Sequence, residues 1–470
     1  MKTKIWHLTL VFVVAVLVLS ACTPAATATP TAAPKPTDAP KATEAPKPVE
    51  VPTEAPKPTE VPAEAPKPTE APAPASDIDC TGVKAGDKVT VMYQWSGGEE
   101  EKINAIFKPF VDACGVQIVA ESSRDAAVLD TKAKSTPPDV LFWPTTAPLN
   151  LYAAQLKDLS TLGASTENFA DYWVSMGSKD GKWMAIPVKA DIKSIIWYSP
   201  AQFEAFGYTV PTTLEELDAL VEKMAADGNV PWSMGMESAA ATGWTGSDFV
   251  QDLLLAQQGP EYVNGLISGK VAYSDAGVLE AYKLYSKWAS DAKYTVGGAQ
   301  GTVSTGFLDA IYKVFQEKPE AMMVKQSGFA GGEVTKKFPN LQYGVDFDFF
   351  AFPGIKGLQG GADYMMAFSE SPATKALVTY ITSAKGAEVW ATSGFDLCPN
   401  KLSTGKYTDA QLIKKAEALY NAAGFTPDLG DTIPAPFGEA EWKAVIVAAQ
   451  AGDIQAALDV AAKAQAEALK

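Results

Sequence analysis

The chain has 470 residues, 47% of them apolar, and carries 55 acidic against 39 basic side chains for a formal charge of −16. That balance excludes nucleic acid and an anionic lipid surface as partners recognised through charge. The only histidine, His7, lies in the first few residues, so the remainder has no Ser-His-Asp or Cys-His pair and no histidine-ligated metal site; no cofactor is expected.

Residues 1–21 read as a secretory signal: Lys2 and Lys4 precede an apolar run, Leu8 to Leu19, too short to span a bilayer comfortably. Leu19-Ser20-Ala21-Cys22 resembles the lipobox of bacterial lipoproteins, which implies cleavage before Cys22 and lipidation of its thiol. Residues 22–76 are mostly Pro, Ala, Thr, Glu and Lys with almost no large apolar residue, and Ala-Pro-Lys-Pro recurs at Ala45, Ala55 and Ala65. Such a stretch cannot bury enough apolar surface to offset its ordering entropy, and its proline density predicts an extended tether reaching ~150 Å. About 395 residues remain, enough for two lobes.

Val89 to Tyr93 reads as a strand, followed by Gln94-Trp95-Ser96-Gly97-Gly98 and a helix from Glu99 with Ile103, Ile106, Phe107 and Phe110 at helical spacing. A second strand runs from Val116 to Ala120, and a third, Val140 to Trp143, follows Pro137-Pro138-Asp139. Strand, glycine turn, helix, strand opens an α/β sheet, whose ligands lie beyond the carboxyl ends of the strands, where Trp95, Glu99 and Trp143 fall. Trp95 and Trp143 read equally as core residues, and Glu99 equally as a complement to the helix dipole. If the first two strands are parallel neighbours, Cys80 and Cys114 sit at the same end of the sheet; a disulfide there would contribute roughly 3 to 4 kcal/mol. Cys398 is left as a buried thiol. Arg124 is the only arginine, and its planar fork points to a site role or to a structural ion pair.

Asp180-Gly181 marks a tight turn, and the apolar run through Pro187 to Tyr198 reads either as a crossover from one lobe to a second or as a hairpin within one domain. A helix opens at Pro211-Thr212-Thr213-Leu214-Glu215-Glu216 with a capping-box pattern. Trp244, between Gly243 and Gly246 in a polar loop, reads as a stacking residue ahead of a helix from Val250 to Gln257 capped by Ser247. Leu279, Tyr282, Tyr285 and Trp288 form a core stripe. Val345 to Phe352 is a strand; Gly360-Gly361-Ala362-Asp363-Tyr364 and a strand to Phe368 carry the chain back to the first lobe, with Asp363 facing the cleft. The tail is helical. The organisation expected is a first lobe of 77–188 and 351–405 and a second of 189–350 and 406–470.

In order and spacing, these segments resemble the family 1 extracellular solute-binding proteins of ABC sugar importers, the group of maltose-binding protein. Asp180-Gly181-Lys182-Trp183-Met184-Ala185-Ile186-Pro187 and Pro211 to Leu217 carry the resemblance. Ser123-Arg124-Asp125, Lys193 to Pro200, Ala241 to Trp244 and Ser247-Asp248 resemble its alpha-glucoside or oligosaccharide branch. Leu214 departs from the family's tryptophan, and Ser233 and Met322 stand where that branch has cysteines, so the Cys80–Cys114 pairing rests on position alone. The resemblance implies an α/β, type II periplasmic-binding-protein fold of two interleaved lobes joined by hinge strands around a ligand cleft. It also implies an extracytoplasmic protein without catalytic activity, which delivers a carbohydrate to a membrane permease; the lipobox adds a lipid anchor, and a monomer is the default expectation. A sugar needs aromatic plates for its C–H faces and charged groups for its hydroxyl rim; Trp95, Trp143 and Trp244 are the candidate plates, and Glu99, Arg124, Asp125 and Asp363 the candidate rim partners. The rivals are a surface glycosidase using Glu99 and Asp363, an adhesive lipoprotein, and a binding protein whose Arg124 holds an acidic solute.

Overall fold

The computed structural model describes residues 77–123 and 125–470. The expectations for the signal, Cys22, the tether and Arg124 lie outside the described residues.

The first lobe is built on a six-stranded sheet. Strands β1 (Lys88–Tyr93), β2 (Gln117–Ser122) and β3 (Val140–Trp143) run parallel in the order β3-β1-β2. In β1, Val89 and Val91 are buried while Thr90 is exposed, the two-residue period of a strand packed on one face. The connecting helix Gly98–Cys114 buries Ile103, Ile106, Phe107 and Phe110, places Glu99, Glu100 and Glu101 at its positive end, and closes on Gly115 in the left-handed region. Its last residue reaches Cys80: the Cys80–Cys114 disulfide is formed, with the Cα atoms 5.4 Å apart. Cys398 is buried and free, and burial pushes its thiol up to about 12.

The hairpin of β4 (Ser178–Lys179) and β5 (Lys182–Trp183) turns at Asp180 and Gly181, both at positive φ, before β6 (Ile186–Ile192). Strand β6 is antiparallel to β10 (Leu358–Ala367), which also pairs with β3 and with the short β11 (Phe425–Pro427). After β6 only Lys193 and Ser194 intervene before β7 (Ile195–Tyr198), the centre of a separate antiparallel sheet flanked by β8 (Met323–Lys325) and β9 (Asp348–Ala351). The crossover reading of residues 180–198 therefore describes the observed path. The chain returns from β9 to β10 and leaves again after β11, giving three connecting segments. In the second lobe, helices Trp244–Gln257, Ala276–Ser290, Ala435–Ala449 and Ile454–Ala468 pack around Trp232, Phe249, Tyr285, Trp288 and Val445. The helix at Thr213 has the expected cap, its hydroxyl accepting from Glu216 N, while Glu216 reaches back to Thr212.

Several boundaries differ from the sequence reading. The segment expected to have entered the second lobe at 406 still supplies β11 to the first-lobe sheet, and β6 carries that sheet past 188 to Ile192. The helix expected from Val250 starts at Trp244 on Gly243, whose φ of 116° makes the entry; Ser247 is buried inside it. Residues 358–367 form one continuous strand because both edges of β10 are paired, which overrides the weak strand preference of Gly360-Gly361.

Candidate ligand-binding cleft

Strand β6 is apolar except at Lys189, and at Asp191 near its end; Lys193 follows on the same period. A period of two puts all three on one face of the strand. Lys189 Nζ lies 3.1 Å from Asp363, 3.2 Å from Asp396 and 3.8 Å from Glu99. Burial alone would lower this ammonium; Asp363 and Asp396 outweigh it and hold the group above its ordinary value. Lys193 pairs with Asp428, with Asp248 at 3.4 Å and with Asp431 at 3.6 Å. The backbone of Asp191, between the two lysines, is held in the β6–β10 ladder, while its carboxylate makes no direct hydrogen bond or close ion pair with another described residue. Burial first, and then repulsion from Asp396, push its carboxyl up to about 6 against the pull of Lys415, Lys189 and Lys193. Gly328 packs over it so closely that an added Cβ would meet Asp191 Oδ1 at 2.4 Å.

A cavity of about 430 Å³ opens over this row, with Gln94, Thr145, Thr146, Asp191, Gly361 and Asp431 in its wall. Gly361 is exposed, its φ is unexceptional, and a Cβ there would meet nothing within 4 Å. The glycine leaves room in the cavity; no close approach or strained turn requires it. A larger depression of about 860 Å³ between Phe206, Phe315 and Phe338 is lined only by residues 199–346 of the second lobe, so a ligand there would not bridge the lobes.

On the second lobe Trp244 is half-buried, with Phe307 at 5.5 Å and Phe329 at 6.5 Å between ring centroids; Phe329 is 38% exposed. Lys193 Nζ lies 5.5 Å from the Trp244 ring centroid, which joins this apolar patch to the charged row. Two non-glycine residues with left-handed backbone flank the region, Ala239 at φ 51° and Asp396 at φ 50°, and strain of this kind collects at functional loops.

Several candidates read from the sequence come together here, and others do not. Asp363 is 4% exposed and accepts from Gln94 Nε2 at 2.8 Å, Trp95 Nε1 at 3.3 Å and Lys189, so it anchors the first-lobe wall. Glu99 stands beside Lys189 at the rim. Trp95 offers no plate in this arrangement: it is 1% exposed, with Phe142, Phe395 and Trp390 around its ring, because the turn after β1 folds it inward. Trp143, 9% exposed, packs with the core, while the next residues, Pro144 to Thr146, reach the cavity. Asp125 is the N-cap of helix Ala126–Ser135, accepting from Ala127 N at 2.8 Å, and lines no part of the cavity. The sequence reading passed over Lys189, Asp191, Lys193, Asp396 and Phe329; charged residues at every second position of an otherwise apolar strand were the signal for the first three.

A model of the bacterial extracellular solute-binding proteins matches residues 96–388. The chain belongs to this family. Among relatives of this solute-binding protein, the alpha-glucosides-binding periplasmic protein AglE of Rhizobium meliloti (strain 1021) is 32% identical over 377 residues, 75% of this chain and 81% of the relative. The osmoprotective compounds-binding protein GgtB of Synechocystis sp. is 28% identical over 370 residues, 75% and 86% of the two chains. The solved bacterial solute receptor AcbH, described as preferring β-D-galactopyranose, superposes with a TM-score of 0.70 at 20% identity, over 82% of this chain and all of AcbH. These likenesses agree with the two-lobed type II architecture and with an extracytoplasmic location.

Proposed function

We propose that this solute-binding protein captures a carbohydrate, an alpha-glucoside or short oligosaccharide, by lobe closure and delivers it to the membrane permease of an ABC importer, working as a monomer held to the membrane through lipidated Cys22. The observation that carries the reading is the cavity over β6 and β10, walled by Lys189, Asp191 and Asp363 of the first lobe and by Asp431 and Thr432 where the chain enters the second, with the half-buried Trp244 beside it, 5.5 Å from Lys193. Hydroxyl groups donate to Asp191 and Asp363 and accept from the lysines, while the C–H face of a ring lies on Trp244. The likeness to AglE supports the glucoside class; GgtB favours a second reading, in which the ligand is an osmoprotective compound. Arg124 remains a rim candidate. A ligand touching both lobes favours the closed state by its difference in affinity for the two states, and a permease can read that closure.

Calorimetric titration of the mature chain with maltose, trehalose and sucrose beside acidic sugars tests this. Saturable binding of a neutral saccharide near micromolar, ~8 kcal/mol, is expected. Binding of acidic sugars alone, lost in Arg124→Lys, would replace the reading with an acidic-solute protein. Release of product from aryl-glucosides, above that of Glu99→Gln, would replace it with a hydrolase.

A further inference from the structure

Helix Trp244–Gln257 carries Trp244, Asp248, Gln251 and Asp252 at spacings of four, three and one, which places them on one face. Trp244 lies next to the cavity wall through Lys193, which sits 5.5 Å from its ring and pairs with the wall residues Asp428 and Asp431. The other three reach the connecting segments between the lobes. At the first connection, Lys193 Nζ pairs with Asp248, and Ser194 Oγ donates to Asp252. At the second, Gln359 Nε2 donates to Asp248 Oδ1 at 2.9 Å, and Gln359 N donates to Ser194 Oγ at 2.8 Å. At the third, Gln251 Nε2 donates to Pro427 O at 2.9 Å and Gln251 Oε1 accepts from Leu429 N at 2.7 Å, while Asp428 takes Lys193. The segments are also tied to each other, by Lys193 N to Gln359 O at 2.8 Å and Asp428 N to Gly360 O at 3.0 Å. Asp252 completes the knot with Lys325 of β8, 3.2 Å away and as deeply buried.

The side chains that tie the connections are enclosed: Asp248, Gln251, Asp252 and Gln359 are all 2% exposed or less. Such a network has discrete arrangements, since moving one member strands the partners of another without water to replace them. A flexible link between rigid lobes needs none of this. Here a single helix grips every segment that must rotate when the lobes move.

We propose that helix Trp244–Gln257 is the lever of lobe closure, with Asp248 and Gln251 as positioning residues that make a ligand lying on Trp244 shift all three connecting segments together. This rests on the reading of the cavity as the ligand site. Trp244 is joined to the knot twice, through one turn of its own helix to Asp248 and through Lys193, which lies over its ring and pairs with Asp248 and Asp428.

The test uses the mature chain with a donor and an acceptor dye on genetically encoded ketone side chains at Ser135 on the first lobe and Ser304 on the second, both exposed. Inter-lobe distances are read without ligand and with saturating maltose, trehalose or sucrose, in the parent and in Asp248→Asn and Gln251→Ala. Circular dichroism checks that each is folded. The lever predicts that the variants bind with an affinity about tenfold weaker, the mark of a closed state less populated by about that factor, and that their saturated distance falls short of the parent's. Variants that reach the parent's saturated distance with the parent's affinity would overturn it. If the parent itself closes on no saccharide, the reading of the cavity fails, and the ligand-free arm decides the lever: a broadened distance distribution in both variants sustains it, and distributions identical to the parent's refute it.

Discussion

Replacing Asp191 by asparagine should stabilise this protein at neutral pH. The carboxyl sits at about 6 in the folded chain and near 3.9 in an unfolded one, so the native state binds its proton more tightly. With the folded value raised, stability falls as pH rises from about 4 to about 6 and is level above that. The gap of about two units corresponds to ~3 kcal/mol lost once Asp191 is ionised. Asparagine keeps the shape and removes the charge that Asp396 repels. Guanidinium unfolding at pH 4 and pH 7.5 gives the comparison: Asp191→Asn is expected to gain up to ~3 kcal/mol over the parent at pH 7.5 and little at pH 4. The same variant should lose ligand affinity, because the carboxylate that is costly in the empty cavity is the acceptor a sugar hydroxyl fills; functional sites commonly hold such a trade of stability against activity. A destabilised Asp191→Asn at pH 7.5, or an equal effect at both pH values, would refute the assignment of a carboxylate whose ionised form burial and Asp396 disfavour.

Trp244→Ala should weaken saccharide binding by about 2 kcal/mol, roughly thirtyfold, in calorimetry, with little change in melting temperature because the ring is half-buried at the lobe surface. Gly361→Val should fold like the parent, since its side chain enters open space, yet fill part of the cavity and lower affinity at least tenfold in the same titration. Replacing Cys80 and Cys114 together by serine removes a closure 34 residues apart in sequence and should cost ~4 kcal/mol, seen as a lower guanidinium midpoint. Lys325→Met leaves Asp252 buried without its ion partner and should cost ~3–5 kcal/mol, measured the same way.

The architecture was legible because its signals are local. Asp180-Gly181 marked a tight turn, and the apolar run through Pro187 read as a crossover or a hairpin; the chain makes a short hairpin at the turn and crosses between sheets after β6. Parallel β1 and β2 bring Cys80 and Cys114 to one end, as their positions implied. The cleft was harder to read, since a residue's distance from solvent depends on what folds over it. Trp95 follows a strand end like a ligand plate, but Phe395, 300 positions further along the chain, packs against its ring. Asp125 looks like a rim carboxylate beside Arg124, yet its first duty is to cap a helix. Lys193, Gln359 and Asp428 meet only because three passages of the chain run side by side, a fact no window of sequence contains.

The measurement that tests the account most directly is a crystal structure of the mature chain with the saccharide that titration selects. The account places one sugar ring on Trp244, with hydroxyls on Asp191 and Asp363 and both lobes in contact with the ligand. A saccharide seated in the depression between Phe206, Phe315 and Phe338, or touching one lobe alone, would contradict it.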